Sequence, residues 1–362
     1  MRIRKWFFAS RAVALALVFV VFGAAGALAQ VSGYVSNQQD NTVSVIDTAT
    51  STVTATVPVG PFPGAITATP DGAFVWVCNT SGASVSVIDT ATNAVVAVVP
   101  VGPGGPVGIA ITPDGAFAYV ALFGGGTVQV IDTATLVTTA VVPAGLSASG
   151  VVITPNGAFA YVTDTFGSSV SVIATTTNTV IATIPVGDFP GYPAITPDGS
   201  FVYVPNQFSD SVSVIATATN TVVATIPTSP MAAQAAVTPN GAFVYVSHLD
   251  NGVVSVIATA TNTVVASVPI SGNPLGLAVT PDGTSVYVAN APNNRVDIID
   301  TTSNTVTGSV PVGVFPTKIA FATTTPPSPT SKEQCKNGGW QTFTNPSFNS
   351  QGDCIKYVNS LP

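Results

Sequence analysis

A repeat of 42 residues runs through most of the chain and limits its possible folds more than any other feature. One column of this repeat holds an aromatic residue in seven consecutive units, spaced by 42 residues and once by 43. Its members are Tyr34, Trp76, Tyr119, Tyr161, Tyr203, Tyr245 and Tyr287. A period of about 40–45 residues with several short strands per unit is typical of β-propellers. The sequence therefore predicts an all-β chain that forms a seven-bladed β-propeller.

Each unit predicts four short antiparallel strands. In the sixth unit these are residues 234–238, 243–247, 254–257 and 264–268, which are rich in the Val, Ile, Thr and Tyr that pleated, packed strands favour. The first turn of this unit reads Pro239-Asn-Gly241, in which Pro presets φ while Asn and Gly tolerate left-handed angles. Four such strands make one propeller blade.

The phase of the repeat predicts how the ring closes. The repeat region begins near Tyr34 with a second strand and ends at residues 317–322 with a lone first strand. The two pieces complete one blade, so the propeller spans residues 30–324 and is closed by one-plus-three pairing of its ends. Such closure removes exposed sheet edges. An open solenoid is the alternative, and the split terminal unit argues against it.

The recurring motifs resemble those of the YVTN-type β-propeller repeat family. They are Gly33-Tyr-Val-Ser-Asn37, Val286-Tyr-Val-Ala-Asn290 and the repeated V-S-V-I-D and T-P-D-G strings, and the resemblance covers residues 31–323. It implies a seven-bladed propeller that is exported or attached to a microbial cell surface. The family has no single shared chemistry, so the resemblance brings no catalytic residues.

The first 29 residues have the pattern of a secretory signal peptide. A basic start is followed by an apolar run and then by Ala27-Leu28-Ala29, a good cleavage site. An uncleaved N-terminal anchor is the alternative, because residues 12–29 are just long enough to be considered for a membrane span. We expect a secreted, extracellular or cell-envelope protein, periplasmic if the source has an outer membrane, without a transmembrane segment after cleavage.

A linker rich in Pro, Thr and Ser at residues 325–331 precedes a small tail at residues 332–362. The tail resembles short Cys-pair tails of secreted bacterial proteins, and a Cys335–Cys354 disulfide is the expected staple for so small a piece. Docking to the cell surface and a tail without a partner are both open. The third cysteine, Cys78, fits a column of small residues and is expected to be a buried free thiol.

Charge excludes some partners. Loss of the signal removes four of the nine basic residues and moves the net charge from −7 to −11. Residues 30–324 keep only Arg295 and Lys318 as bases. Nucleic acid and anionic membrane surfaces are therefore not expected as partners, because neither would meet a basic face. We expect a monomer that binds an extracellular or envelope protein or a small ligand.

The loops that follow strands two and four vary between units, whereas the turns that follow strands one and three barely change. Function in repeat proteins usually lies on the varied loops of a rigid scaffold. The sequence predicts an apolar, acid-rimmed binding face, with blade-to-blade packing and turn capping as the alternative for each residue. The candidates are Phe62, Phe123, Phe166, Phe189, Phe208, Phe315, Asp164, Asp210, His248, Asp250 and Arg295.

Residues for known kinds of catalysis are scarce. His248 is the only histidine and is expected to be a solvent-exposed loop residue, and the propeller carboxylates are all Asp. We predict no catalytic residues, metal site or cofactor, although Asp250 or Asp40 could contribute to a calcium site. The Asp residues at the ends of the V-S-V-I-D strings are expected to make structural hydrogen bonds.

The favoured function is an exported binding or scaffold propeller. The alternative is a propeller enzyme of lactonase-like or redox-associated type. The predicted channel-facing strands are small and apolar with Lys318 as the one charged exception, which argues against a lactonase.

Overall fold

The computed structural model describes residues 30–324 and, in the tail, residues 332, 333, 335, 336, 338, 340 and 348–360. The predicted signal peptide at 1–29 and the linker at 325–331 lie outside the described residues. The described propeller contains seven sheets of four antiparallel strands each. The prediction of a seven-bladed β-propeller is confirmed.

Each blade runs from an inner strand beside the central channel to an outer strand at the rim. The inner strands are β4 (Pro63–Ala68), β8 (Pro106–Ile111), β12 (Ala148–Ile153), β16 (Ala194–Ile195), β20 (Ala232–Val237), β24 (Pro274–Val279) and β28 (Pro316–Thr324). The second strands are β1 (Gln30–Asn37), β5 (Phe74–Asn79), β9 (Phe117–Leu122), β13 (Phe159–Asp164), β17 (Phe201–Asn206), β21 (Phe243–His248) and β25 (Ser285–Asn290). The third strands are β2 (Thr42–Asp47), β6 (Ser84–Asp89), β10 (Thr127–Asp132), β14 (Ser169–Ala174), β18 (Ser211–Ala216), β22 (Val253–Ala258) and β26 (Arg295–Asp300). The outer strands are β3 (Thr52–Pro58), β7 (Ala94–Pro100), β11 (Thr138–Pro143), β15 (Thr179–Pro185), β19 (Thr221–Pro227), β23 (Thr263–Pro269) and β27 (Thr305–Pro311).

Blade 1 is built from both ends of the propeller. Its strand order is β28-β1-β2-β3, and β28 pairs antiparallel with β1 from Gln30↔Thr324 to Asn37↔Pro316. The chain therefore closes its own ring by eight residue pairs. The one-plus-three closure is confirmed.

The aromatic column forms a hydrogen bond between neighbouring blades. The buried Tyr of one blade donates its hydroxyl to an Asn side chain 59 residues further on, in the turn between the third and outer strands of the next blade. The pairs are Tyr34–Asn93, Tyr119–Asn178, Tyr161–Asn220, Tyr203–Asn262 and Tyr245–Asn304, with O···O distances of 2.6–3.0 Å. Each Asn has a φ between 51° and 53°, a left-handed angle that Asn tolerates better than most residues. We call this contact the Tyr–Asn clasp.

Two junctions depart from the clasp. Where blade 2 has Trp76 in place of Tyr, blade 3 has Leu136 in place of Asn, and Leu136 packs against the apolar cluster that contains Trp76. At the junction of blade 7 with blade 1, Tyr287 has a side-chain hydrogen bond with Ser51. Both partners change at the first of these junctions, which becomes apolar, whereas at the second only the Asn is replaced and the junction stays polar.

The turns that barely vary are held by side-chain hydrogen bonds. In the T-P-D-G turn of blade 2, Thr69 Oγ1 donates to Asp71 Oδ1 at 2.5 Å and accepts from the Phe74 N–H at 3.0 Å. At the end of β2, Asp47 Oδ1 accepts the backbone N–H groups of Ala49 and Thr50. The prediction of structural hydrogen bonds for this Asp column is confirmed, and the turns explain why these loops are uniform.

The described part of the tail forms a separate small unit. Helix α1 (Gln351–Ser360) is capped by Ser350, whose Oγ accepts the Asp353 N–H at 3.1 Å. Cys335 and Cys354 form a disulfide, which confirms that prediction. No helix among the described residues is long and apolar enough to cross a membrane.

The clasp can be tested by a double-mutant cycle on Tyr161 and Asn220. Tyr161→Phe leaves Asn220 Oδ1 without its donor, and Asn220→Gly removes the acceptor while tolerating the left-handed angle. We expect each single change to lower the free energy of unfolding by about 1–2 kcal/mol, with about 1 kcal/mol of coupling between them. Urea unfolding of the mature chain measures both quantities, and strictly additive costs would contradict the clasp.

Candidate functional site

The two faces of the propeller differ as the sequence predicts. The constant face carries the turns that follow the inner and third strands, and the variable face carries the loops that follow the second and outer strands. Two short 3₁₀ turns, Phe123–Gly125 and Ala291–Asn293, lie in variable-face loops of blades 3 and 7. The candidate residues from the sequence fall into separate groups on this face.

Four of the predicted phenylalanines form a continuous line across blades 3 to 5, which we call the aromatic ridge. The ring centroids of Phe123 and Phe166 are 5.5 Å apart, those of Phe166 and Phe189 are 5.7 Å apart, and those of Phe189 and Phe208 are 4.5 Å apart. Phe166 and Phe208 remain 62% and 61% exposed. The four rings of the ridge therefore pack against one another and still present an apolar surface to solvent.

The other two phenylalanines, Phe62 and Phe315, lie at the mouth of the central channel. Both have a φ of 60°, and their backbone N–H groups donate to Asn41 Oδ1 and Asn294 Oδ1 respectively. These hydrogen bonds hold the loops in their left-handed turns. The backbone at both residues therefore places their side chains beside the channel.

The predicted charged residues mostly stabilise loops. Asp164 is only 3% exposed and accepts the backbone N–H groups of Leu146 and Ser147 at 2.8 Å. Asp210 Oδ1 accepts the Met231 N–H, and Asp250 Oδ1 accepts the Asn273 side-chain amide. Arg295 pairs with the buried Asp297 at 2.7 Å. The acidic rim is therefore largely occupied by internal hydrogen bonds, and the described residues include no group of three or more potential metal ligands.

The interpretation of His248 as a solvent-exposed loop residue is wrong. His248 ends β21, is 0% exposed, and contacts Pro230 O through Nδ1 at 3.0 Å and Ser255 Oγ through Nε2 at 2.9 Å. Asn206 occupies the same position in blade 5 and likewise bonds a Ser seven residues later. Burial holds the pKa of His248 below its usual range. The residue replaces a structural Asn.

A second column of the repeat builds the centre of the molecule. Four residues before the T-P-D/N-G threonine, blades 2, 3, 4 and 7 carry Ala65, Gly108, Gly150 and Gly276, whereas blades 5 and 6 carry Tyr192 and Gln234. The equivalent position of blade 1, 42 residues after Gly276, holds Lys318. A Cβ on Gly108 would lie 1.8 Å from Ser149 O, and one on Gly276 would lie 2.2 Å from Thr317 O. The small residues are needed because neighbouring inner strands approach closely, and three large polar side chains occupy the channel.

These three side chains form one connected cluster, which we call the channel cluster. Lys318 Nζ donates to Gln234 Oε1 and lies 3.2 Å from the centroid of the Tyr192 ring. Gln234 Nε2 in turn donates to Leu277 O at 2.9 Å. The cluster thereby connects blades 5, 6, 7 and 1 across the channel.

Burial changes the acid–base behaviour of the channel cluster. Desolvation lowers the pKa of Lys318 well below its usual value of 10.5. The face of the Tyr192 ring favours the ammonium by about 1–2 kcal/mol, which offsets only part of a desolvation penalty of several kcal/mol. Desolvation, with a smaller effect of Cys78, raises the pKa of Tyr192 to about 12. The phenol therefore stays neutral and places no negative charge beside the amine.

A cavity of about 270 Å³ opens above the channel cluster on the variable face, and we call it the channel-mouth pocket. It is lined by Gln38, Phe62, Gly64, Ala65, Thr80, Val107, Tyr192, Ala233, Leu249, Leu275, Phe315, Thr317 and Lys318. The lining is mainly apolar with one amine and one phenol. An apolar cavity with a few converging polar groups, one of perturbed pKa, is the common form of a small-molecule site.

Sequence reasoning noticed Lys318 but missed Tyr192 and Gln234. The available signal was the column itself, because these three residues lie 42 and 84 residues apart in a position that is otherwise Gly or Ala. Strand β16 contains only two residues, and the flanking Pro190 and Pro193 hide the repeat there. The prediction of small, apolar channel-facing strands therefore does not hold for blades 5 and 6.

A larger cavity of about 750 Å³ lies on the constant face between blades 2 and 3. It forms where Trp76 and Leu136 replace the Tyr–Asn clasp, and the exposed Asp71 and Asp114 lie at its rim. Both carboxylates belong to T-P-D-G turns and have lowered pKa values because Thr side chains donate to them. This cavity carries no amine or imidazole.

Cys78 lies between blades 2 and 3 and is fully buried, as predicted. Its Sγ approaches Gly108 O at 3.9 Å, and the equivalent Ser36 and Ser247 hydroxyls donate to the next blade in the same way. Burial raises the pKa of the thiol. The residue acts as a small structural filler.

Comparisons with known proteins add a family and three similar structures. Residues 32–310 match the family model of the cytochrome D1 heme domain. A hydrazine synthase structure from Kuenenia stuttgartiensis is 26% identical with a TM-score of 0.65, covering 71% of this chain and 89% of that one. A protein of unknown function from Desulfotomaculum acetoxidans is 19% identical with a TM-score of 0.70, covering 79% and 99%. A candidate 6-phosphogluconolactonase from Bacteroides uniformis is 16% identical with a TM-score of 0.71, covering 81% and 100%. A search of curated proteins finds no match.

The burial of His248 predicts a specific pH dependence of stability. Its pKa is lower in the folded than in the unfolded chain, so as pH falls through about 6.5 the unfolded state gains a proton first and stability is lost. We expect a loss of up to about 1.4 kcal/mol per pH unit in this window. His248→Asn, which restores the residue found at Asn206, should remove the part of this loss that the imidazole causes and leave the part that comes from the lowered pKa of Lys318.

Urea unfolding between pH 7 and pH 5 makes this measurement, and no other histidine titrates in the chain. The turn aspartates contribute only at lower pH, because unfolded Asp titrates near about 3.9. An unchanged pH dependence in His248→Asn would show that burial of this imidazole is not its cause.

Proposed function

The chain belongs to the cytochrome D1 heme domain family of β-propellers, and on that premise we propose that it is an enzymatic, redox-associated propeller. Its working site is the channel-mouth pocket, which binds a small organic molecule against the channel cluster. The single observation that carries this proposal is the Lys318 amine at an apolar cavity, beside Tyr192 and without a carboxylate partner.

The family description implies a heme, and the residues of this chain do not fit one. Proteins hold heme iron with His, Cys, Met or Tyr side chains. In the described propeller both nitrogens of His248 are already engaged, and Cys78 is buried between blades. Tyr192 has a pKa of about 12, which disfavours the phenolate that binds iron. The other side chains of these four types in the described propeller are the buried tyrosines of the blades and Met231, which lies in a loop.

The cavities lead to the same conclusion. The channel-mouth pocket has a volume of about 270 Å³, at the low end of ordinary small-molecule sites. The larger cavity on the constant face is lined by none of the four donor types, and Asp71 and Asp114 would repel the carboxylates of a heme. We therefore derive no step through heme.

Similarity to the hydrazine synthase structure supports the redox association, because its identity of 26% extends over most of both chains. The lactonase-like alternative has support from the fold alone, at 16% identity. A phosphorylated lactone would require several cationic groups, and Lys318 is the one cation that lines the pocket.

We place the protein outside the cytoplasm. The Cys335–Cys354 disulfide supports this location, because such bonds form and persist in oxidising compartments. The signal peptide predicted at residues 1–29 would provide export. Docking of a protein partner on the aromatic ridge remains a proposal from the sequence, supported by the exposure of Phe166 and Phe208.

Filling the pocket tests the proposed function. Gly64→Leu places a larger side chain at the pocket wall, and blade 7 already has a leucine, Leu275, at the same repeat position. The nearest atom to a Cβ on residue 64 is Thr80 Oγ1, at 3.4 Å, so the backbone has room for the change. Gly308→Leu is the matched control on outer strand β27, where the nearest atom to a Cβ is 4.0 Å away.

We expect small-molecule fragments found by ligand-observed NMR on the mature chain to lose at least about tenfold in affinity, or about 1.4 kcal/mol, in Gly64→Leu. The fragments should bind the Gly308→Leu variant with the same affinity as the unchanged protein. Fragments whose binding is unaffected by Gly64→Leu would place the working site elsewhere.

A further inference from the structure

We propose that Lys318 is a covalent carbonyl-binding residue, whose Nζ condenses with small aldehydes or ketones in the channel-mouth pocket to form an imine. The proposal rests on the function proposed above and names the substrate class of the same site. Its basis is the position of the amine, its surroundings and the shape of the cavity.

The position of Nζ is restricted by two neighbours. Gln234 Oε1 accepts a hydrogen bond from it, and the Tyr192 ring lies against it with the centroid 3.2 Å away. Gln234 is itself held by Leu277 O. An amine fixed in this way keeps one region of approach open, which is the cavity that Lys318 lines.

The surroundings shift the amine toward its neutral, nucleophilic form. A lysine becomes nucleophilic when desolvation in an apolar pocket lowers its pKa, and desolvation has this effect on Lys318. A carboxylate at the site would oppose this effect by stabilising the ammonium, and none lines the pocket. Tyr192 is the other titratable group of the lining, and its pKa of about 12 keeps it uncharged.

The condensation balances without any further reactant. The nitrogen lone pair attacks the carbonyl carbon, forming a C–N bond while the carbonyl oxygen takes up a proton. The resulting carbinolamine loses its hydroxyl with a second proton as water, and a C=N bond remains. The water that is released contains the carbonyl oxygen and the two protons lost by the nitrogen. No electrons are gained or lost overall, so no oxidant or reductant is needed.

The shape of the cavity limits the substrate to a small, mainly apolar carbonyl compound. Phe62, Leu249, Leu275 and Phe315 surround a volume of about 270 Å³. Gln38, Thr80 and Thr317 add a few polar atoms to this lining. A large or multiply charged substrate would leave charges without partners in this lining.

Reductive trapping tests the proposal on the mature chain. The protein is incubated at neutral pH with propionaldehyde and cyanoborohydride, which converts an imine into a stable secondary amine, and labelled sites are located by peptide mass spectrometry. After the signal the chain has only four lysines, Lys318, Lys332, Lys336 and Lys356. The tail lysines Lys336 and Lys356 are well exposed and serve as internal controls.

We expect Lys318 to be labelled at least about tenfold faster than Lys336 and Lys356, because desolvation lowers the pKa of Lys318 and favours its nucleophilic, neutral form. Gly64→Leu should slow labelling of Lys318 and leave that of the tail unchanged, while Gly308→Leu should change neither. Lys318→Arg should remove the fast label alone.

Labelling of the tail lysines as fast as, or faster than, that of Lys318 would overturn the proposal. If fragments still bound the pocket in a Gly64-dependent manner in that case, the proposed small-molecule function would stand and only the imine would fail. If Lys318 were not labelled faster and fragments did not bind in a Gly64-dependent manner, both the imine and the proposed small-molecule function would be rejected.

Discussion

The structure depends on the hydrogen bond by which each buried tyrosine reaches the next blade. A propeller blade has little contact with any blade but its two neighbours, so the junction must fix both distance and rotation. The Tyr–Asn clasp does this with a buried ring, which supplies apolar area, and a hydroxyl that needs one acceptor in one place. Tyr161–Asn220 at 2.6 Å and its four equivalents repeat this geometry around the ring. Where the tyrosine is replaced by Trp76, the Asn is replaced by the apolar Leu136, so no hydrogen-bonding side chain is left without its partner at that junction.

Regular blade spacing also determines the channel. Because inner strands approach closely enough that Gly108 and Gly276 have no room for a Cβ, the channel can accept only a few large side chains. Blades 5, 6 and 1 supply them as Tyr192, Gln234 and Lys318. Their mutual contacts and the apolar lining desolvate the Lys318 amine, and this desolvation lowers its pKa. The unusual chemistry of the site is therefore a consequence of ring packing, and the variable loops add only the pocket walls above it.

Much of the fold was predictable from the sequence because it is encoded locally and repeated. The closure of blade 1 follows from where the repeat starts and stops, and the turns follow from Thr, Asp and Gly spacing. The buried state of His248 was missed because it lies at a strand end next to a variable loop, although the repeat places it 42 residues after Asn206 and both side chains contact a Ser seven residues later. The residues of the channel cluster could have been found by aligning one column. Their desolvation could not, because it depends on distances across four blades.

The side chains of the described propeller do not fit the heme that its family description implies, and heme binding tests this most directly. The mature protein would be produced with ample heme, incubated again with hemin, and examined by visible absorption and iron analysis. We predict no stoichiometric heme, because the described propeller offers neither a free imidazole nor a cavity with suitable ligands. One tightly bound heme per chain, lost in His248→Asn, would contradict the account and return the site to His248.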